Sequence, residues 1–407
     1  MDSIVIGGGM VGVATALALQ ERGRNVLLLD RRRPGQETSY GNAGIIQAEA
    51  VAPYAIPLAF DRLLRIAAGR AHDVAWNLRG MPSWLAPVLG YFWHSLPPNY
   101  RRIVPEYARM ILRATDDHAR LITAASADDL IARRGFIQAY RDAASLEAAV
   151  AEADAENRAF GVPSIALDAA GLAKAEPTLR VPMTGAIHFT SPWSCRDPGE
   201  LVSRYARLFI ERGGCIETAN AQSLARSGGG WTVQTSAGTH DAPDVVVALG
   251  PWTPQFLAPL GYRIPMVLKR GYHLHLAGEA EPLQPFMDVA NATVISPMNR
   301  GVRVLTGAEL NRLDANSNLR QIRHATMVAK TLFPLGEAVE SQPWRGARPC
   351  MPEMLPVIGP ASRHQGLWFN FGHGHQGFTL GPTTAQMLAD AMVGASPVAA
   401  LAAFARY

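Results

Sequence analysis

Cysteine is scarce in this 407-residue chain, and the three present exclude two classes of protein. Cys195, Cys215 and Cys350 are odd in number and lack metal-ligand spacing, so neither a disulfide framework nor a cysteine-held metal is expected. Charge of one sign is also scarce. With 38 basic against 34 acidic residues the balance is only +4, and the one dense basic run is RRR at 31–33, which gives no footprint for nucleic acid. No clean apolar run approaches the roughly 20 residues a membrane helix needs. The nearest, MPSWLAPVLGYFWHSLPP at 81–98, is broken by prolines, which leaves surface attachment open there. The first residues, MDSIVIGGG, enter a strand at once, so no secretory signal is expected and the chain reads as cytoplasmic. Repeats and low-complexity tails are lacking too. With 48% hydrophobic and 18% charged residues, what remains is a globular chain long enough for two domains.

IVIGGGMVGVATALALQERGRNVLLLD predicts a strand at 3–6, a helix at about 10–22 and a strand at 26–30, a βαβ unit at the head of the chain. Residues 60–135 read as mainly helical. RGFIQAY and GAIHFT read as strands, a helix is expected at about 198–213, and WTVQTSAGTHDAPDVVVALG reads as a hairpin followed by a buried strand. RGYHLHL, ATVISPM and VRVLTGAEL add further strands. The expected fold class is α/β, a doubly wound domain of the glutathione-reductase type with an inserted α+β substrate domain containing a mixed, largely antiparallel sheet. The expected division puts 1–60, 194–256 and 345–407 in the nucleotide domain, and 61–193 with 257–344 in the substrate domain.

Gly7, Gly9 and Gly12 form GxGxxG between the first strand and first helix, the context a dinucleotide fingerprint requires. The first glycine permits the turn, the second admits pyrophosphate and the third lets the helix pack on the strand. Met10 and Val11 at the helix start join the cofactor contacts. Asp30, eighteen positions beyond Gly12, ends the second strand where a carboxylate can accept from ribose hydroxyls. These residues alone do not separate FAD from NAD.

Further motifs, in order, carry a resemblance: GGGMVG, LLLDRRRPGQETSYGNAG, SCRDPGELV, VVVALGPWTPQFLAPLG, LKRGYHLHL, WRGARPCMPEMLPVIGP and FNFGHGHQGFTLGPTTAQMLAD. Over nearly its whole length the chain resembles the D-amino-acid oxidase superfamily of FAD enzymes, specifically the bacterial D-amino-acid dehydrogenases. The resemblance implies flavin contacts at Arg31, Ser39, Asn42, Ala43, Gly44 and Gly250. It also implies a loop from Gly372 through Gly374 to Gly377 returning to the flavin, with Pro382 opening the next helix. Arg348 matches the family's carboxylate-binding arginine, as a planar cation suited to bidentate capture. Tyr272 is expected beside it, and Tyr54, in a loop where the family places substrate contacts, and His273 are weaker candidates.

His373 and His375 have no third ligand in view, so no metal is expected there. His373 is placed with the catalytic residues and His375 with the cofactor contacts, which of them faces the ring being left open. Cys350 lies too close to the following MPE proline for the covalent attachment found in some relatives, so FAD is expected to be noncovalent. The implied reaction is oxidative deamination of a D-amino acid, with no protein base assigned and with a quinone, a protein or oxygen as acceptor. A glycine, sarcosine, D-proline or hydroxy-D-proline enzyme, a flavin-binding partner subunit and an NAD-dependent dehydrogenase are the alternatives. Contact with the inner face of a membrane stays open.

Overall fold

The computed structural model describes residues 1–407. Its first strand, β1 (Ser3–Ile6), is buried at all four positions, as a strand covered on both faces must be. The helix α1 (Met10–Glu21) is buried on nearly every side from Met10 to Leu19, and β2 (Val26–Asp30) returns beside β1 in parallel register, Ser3 opposite Val26 and Ile6 opposite Leu29. Six strands form this sheet in the order Cys215–Thr218, β2, β1, Asp244–Val247, Leu367–Phe371, Val357–Pro360. All neighbours run parallel except the last pair. The expected hairpin forms, with Gly230–Thr235 opposite Thr239–Ala242.

Behind the sheet, α1 packs against Pro198–Glu211 and the final helix, Gly377–Met392. The sequence places Pro382 in that helix's first turn, yet the helix begins five residues earlier. A proline inside a helix leaves the carbonyl four residues back without its amide partner. Here that carbonyl is Phe378 O, and the buried His118 donates to it from Nε2 at 2.9 Å. Burial lowers His118 to about 4, so the ring is neutral and its Nδ1 faces the Tyr205 hydroxyl at 3.2 Å.

A second sheet of eleven strands is built around the long strand Val267–Gly278. Of the helices within 60–124, Met81–Ser95 packs against this strand while Pro97–Ile111 and Ala114–Ala124 pack on the final helix, and the region also holds a short edge strand, Val74–Trp76, that the helical reading did not include. Trp344–Cys350 pairs along the long strand. The expected boundary at residue 345 is therefore corrected: this strand belongs to the second sheet, and the chain returns to the first only with Val357–Pro360. A small sheet of Ile45–Ile46, Trp193–Cys195 and Ile131–Ala132 ties the two parts together.

Candidate active site

A single cavity of about 430 Å³ is lined by the β1–α1 turn, the ends of β2 and Asp244–Val247, the 37–42 loop, the strand Trp344–Cys350 and the loop Gly372–Gly377. At the turn, Gly7 has φ +120, and a Cβ there would lie 2.4 Å from Ala248 O. A Cβ on Gly12 would lie 1.7 Å from Gly7 O, so only glycine lets α1 start this close to the strand. Helix geometry leaves the first amides of α1 without intrahelical partners. Ser39 Oγ accepts that of Met10 at 2.9 Å, and Gly9, Met10 and Val11 line the cavity beside it, where a pyrophosphate would meet amides and the positive end of the helix.

Asp30 accepts from Gly8 N at 2.5 Å through Oδ2 and from Arg32 N at 2.8 Å through Oδ1. Each oxygen keeps a lone pair for a ribose hydroxyl. Burial raises this carboxyl, while the two backbone bonds pull it back. Arg31 stacks 4.1 Å over Trp252 and pairs with Glu37 at 2.7 Å, and all three line the cavity. Helix start, acid and the cavity they line together fit a dinucleotide.

Of the expected flavin-loop contacts, Ser39, Asn42 and Gly250 line the cavity, whereas Ala43 and Gly44 do not. Gly44 instead closes a turn, its N–H donating to Asn42 Oδ1 at 2.8 Å. The loop is clamped from the second sheet by the buried Arg303, which donates to Tyr40 O at 2.8 Å and Asn42 O at 2.5 Å. Arg303 Nε also donates to His275 Nε2 at 2.9 Å, and His275 Nδ1 faces Glu340 Oε1 at 2.6 Å. That arrangement sets the tautomer: Nδ1 carries the proton. Sequence reasoning missed this clamp, and it missed Ala219–Gln222 after the strand Cys215–Thr218, which also line the cavity.

At the other sheet, antiparallel pairing sets Lys269 opposite Arg348, Gly271 opposite Gly346 and His273 opposite Trp344. Alternation along the strands puts these six residues on one face. A Cβ on Gly271 would lie 2.8 Å from the Arg348 guanidinium, so glycine gives the arginine room to lie across the sheet. Arg348 donates to Gly307 O at 3.0 Å and Thr306 O at 3.3 Å and has no carboxylate partner. A half-buried guanidinium with no carboxylate partner and an open cavity before it suits an anion.

Tyr272 falls on the opposite face. Its hydroxyl donates to Glu309 Oε2 at 2.5 Å and accepts from Arg270 Nη2 at 2.8 Å and Asn318 N at 3.0 Å, so although Tyr272 is among the residues lining the cavity, its hydroxyl is directed to Glu309 and away from Arg348. His273 is stacked on Trp344, with ring centroids 4.9 Å apart. It supports that indole.

Tyr54 lines a smaller cavity, about 20 Å³, with Tyr91, Tyr107, Cys350 and the 372–375 loop. The Tyr91 hydroxyl donates to Tyr54 O and that of Tyr100 to Pro53 O, so the helices Met81–Ser95 and Pro97–Ile111 hold this segment. Tyr54 is half-exposed, and desolvation with the nearby Glu49 carboxyl pushes its hydroxyl up to about 12. It remains protonated.

In the opposite wall, Gly372 and Gly374 have φ +81 and +58. Between them the backbone bridges Cys350, and Gly374 N donates to Pro349 O at 2.9 Å. The two histidines, both among the residues lining the cavity, send their rings in different directions. His373 turns into the fold, bonded to Thr384 Oγ1 at 2.9 Å and lowered by burial to about 3. His375 stands edge-on to Tyr54 with ring centroids 5.1 Å apart, and burial with the charges of Arg348 and Lys269 holds it neutral. No cluster of three metal-ligating side chains occurs.

Behind Tyr54, Gln47 Nε2 donates to its hydroxyl at 3.2 Å and to Glu49 Oε1 at 2.8 Å. Glu49 is only 4% exposed, and burial pushes it up to about 7. Unfolded, it ionises near 4.5; folded, near 7, so the native state holds the extra proton and loses stability as pH rises through that window. Glu49→Gln removes this dependence. Its stability relative to the unsubstituted protein should therefore increase by on the order of 2–3 kcal/mol between pH 5 and pH 8. Thermal melting of both proteins across that range checks it, and a constant difference would remove Glu49 as the titrating group.

The sequence profile of the FAD dependent oxidoreductase family, DAO, matches residues 2–391. A D-amino acid dehydrogenase from Chromohalobacter salexigens is 32% identical, the alignment covering 98% of this chain and 97% of that protein. Another, from Sinorhizobium medicae, is 29% identical over 96% of this chain and 95% of its own length. Among solved structures, glycine oxidase from Geobacillus kaustophilus superposes with a TM-score of 0.74 at 20% identity, covering 99% of this chain and 97% of that one, which establishes the shared fold.

Proposed function

This chain belongs to the DAO family of FAD-dependent oxidoreductases, and from that premise we propose that it deaminates a D-amino acid oxidatively, through the imino acid to the 2-oxo acid and ammonia. The observation that carries the reading is the Arg348 guanidinium, which has no carboxylate partner and lines the cavity that the nucleotide turn also lines. Bound FAD supplies the two-electron acceptor for the hydrogen leaving the α-carbon. Arg348 takes the substrate carboxylate and fixes its orientation, which supplies much of the rate without a base. Tyr54, protonated, closes one wall as a donor, and neutral His375 adds no charge to repel an ammonium substrate. Loop amides at Gly372–Gly377 and the start of the last helix stand where negative charge is stabilised.

An anaerobic panel of D- and L-amino acids, glycine, sarcosine and cyclic imino acids, read by bleaching of the flavin band, tests the proposal. Bleaching by D-amino acids is expected; a response confined to glycine, sarcosine or cyclic amines would move the assignment to those alternatives, which need the same arginine. The same preparation precipitated with acid should release its flavin into the supernatant.

Reoxidation by a quinone or another acceptor completes the cycle, and we propose that the exposed apolar residues between 60 and 93 meet the membrane that would carry a quinone. Phe60, Leu64, Leu78, Leu89 and Trp93 are 52–75% exposed within one stretch of chain, interleaved with Arg62, Arg65, Arg70 and Arg79. No helix is long and apolar enough to cross a membrane, but apolar and basic side chains together suit the surface of an anionic bilayer. The protein should float with phosphatidylglycerol vesicles at low salt, and Leu89→Asp with Trp93→Asp should abolish flotation. Equal flotation of that variant would dismiss the surface.

A further inference from the structure

Between β2 and Ile45 the chain forms no helix or strand, yet this stretch supplies Glu37, Thr38, Ser39, Gly41 and Asn42 to the cavity wall. Its own backbone bonds are short turns, from Tyr40 N to Glu37 O, Gly41 N to Thr38 O and Asn42 N to Ser39 O. The carbonyls of Tyr40 and Asn42 are held from outside by Arg303 Nη1, whose guanidinium also lies 5.2 Å from the centre of the Tyr40 ring. Arg303 is 3% exposed, and its bonds go to these two carbonyls and one imidazole nitrogen, none of them to a carboxylate. An arginine N–H only donates, so the bond to His275 Nε2 exists only while that nitrogen keeps its lone pair. Glu340 holds the ring in that state. Its Oε1 accepts from Nδ1 at 2.6 Å and its Oε2 from the His275 amide at 3.0 Å, which fixes ring and backbone together. The link from the second sheet to the flavin loop thus depends on one uncharged imidazole.

We propose that His275 is a positioning residue for FAD: uncharged, it steadies Arg303 on Tyr40 and Asn42 and keeps the loop shaped for the flavin; protonated, it repels Arg303, frees the loop and lowers flavin affinity. This rests on the placement of FAD in the larger cavity. Protonation sets an N–H of the buried ring against the Arg303 Nε–H across 2.9 Å and brings two cations into contact. Glu340, ionised, grips an imidazolium more firmly than an imidazole, so the arginine is the partner that moves. The charged or titratable groups around the ring come from every side. They are Glu340 beyond Leu335–Ala338, Arg303 in Gly301–Leu305, Arg300 in the turn before it, Tyr40 in the loop beyond Arg303, and His273 on the same strand with ring centroids 5.1 Å apart. Of these only Glu340 favours the charged ring, while burial and the two arginines hold His275 below its ordinary 6.5, so the clamp is closed at neutral pH. His273, lowered by burial to about 2, stays neutral throughout. Once the loop is free the His275 ring returns towards 6.5, so flavin affinity is full above that value and falls as pH drops through it.

The test dilutes the holoenzyme at pH values from 5.5 to 7.5 and reads the fluorescence of released flavin, which gives a dissociation constant at each pH. The expected rise is roughly tenfold from pH 7.5 to pH 5.5, the factor that one proton taken up near 6.5 gives. The far-ultraviolet circular dichroism should stay unchanged, and flavin should rebind on return to pH 7.5. His275→Gln keeps an acceptor oxygen for Arg303 but has no proton to gain, so its affinity should change by less than about twofold over the range. Arg303→Met should bind flavin weakly at both ends and lack the pH step. A calorimetric count of protons released as the flavin-free wild-type chain takes up FAD at pH 5.5 needs no variant: about one is expected, and none overturns the inference. An affinity constant across the range in the folded wild-type protein, or a step of the same size in His275→Gln, overturns this inference alone. A purified protein that binds no flavin at either pH overturns the cofactor placement and this inference with it.

Discussion

Replacing Arg348 with alanine should lower kcat/KM for the best substrate by ~10²–10³-fold while the purified protein stays yellow. Removing one partner of a buried, hydrogen-bonded charge pair costs about 2–5 kcal/mol, and each 1.4 kcal/mol is a factor of ten. The flavin is retained because Arg348 bonds to Gly307 and Thr306 in the second sheet, whereas the nucleotide turn is built from β1, α1 and β2. Arg348→Lys should recover little, since an ammonium cannot reproduce the two-pronged geometry across Gly271. Steady-state kinetics together with the flavin-to-protein absorbance ratio check this. Turnover unchanged in Arg348→Ala would remove the arginine from the site and with it the main support for an amino-acid substrate.

A colourless protein is the expected product of Gly12→Val. The added Cβ would stand 1.7 Å from Gly7 O, with backbone on both sides and no flexible side chain to give way. Relief requires α1 to move off β1, which breaks the turn that Gly7, Gly9 and Ser39 form around the pyrophosphate position. Overpacking alone costs about 1–3 kcal/mol. The stabilisation that bound cofactor gives by mass action is lost as well. The melting temperature should fall, and added FAD should not raise it. Gly23→Ala is the control. Nothing lies within 4 Å of a Cβ there, so only local backbone strain of about 1–2 kcal/mol is introduced and the protein should keep its colour.

The nucleotide half was legible because its signals are local. A glycine spacing, a strand and an acid at the end of the next strand lie within thirty residues, and parallel pairing of β1 with β2 follows from that short crossover. Arg348 was legible through its motif. The residues around it were not, since their roles depend on which strands pair and on the parity of each position. Strand parity turned Tyr272 away and set Lys269 beside Arg348, and the pairing of Val267–Gly278 with Trp344–Cys350 joins segments some eighty residues apart. The two histidines of FGHGHQGFTLG look equivalent in sequence. Only the packing of the last helix, which supplies Thr384, takes His373 inward and leaves His375 at the cavity.

The Glu340–His275–Arg303 clamp on the 40–42 loop has no sequence signature either, because its members come from three separate strands or loops. By itself, then, the sequence determined the cofactor turn, the α/β class and Arg348 as the candidate carboxylate-binding cation, all of which depend on residues close in the chain. The tertiary structure decided which side chains share the cavity with that cation, since a side chain's direction is set by strand register and helix packing over long separations.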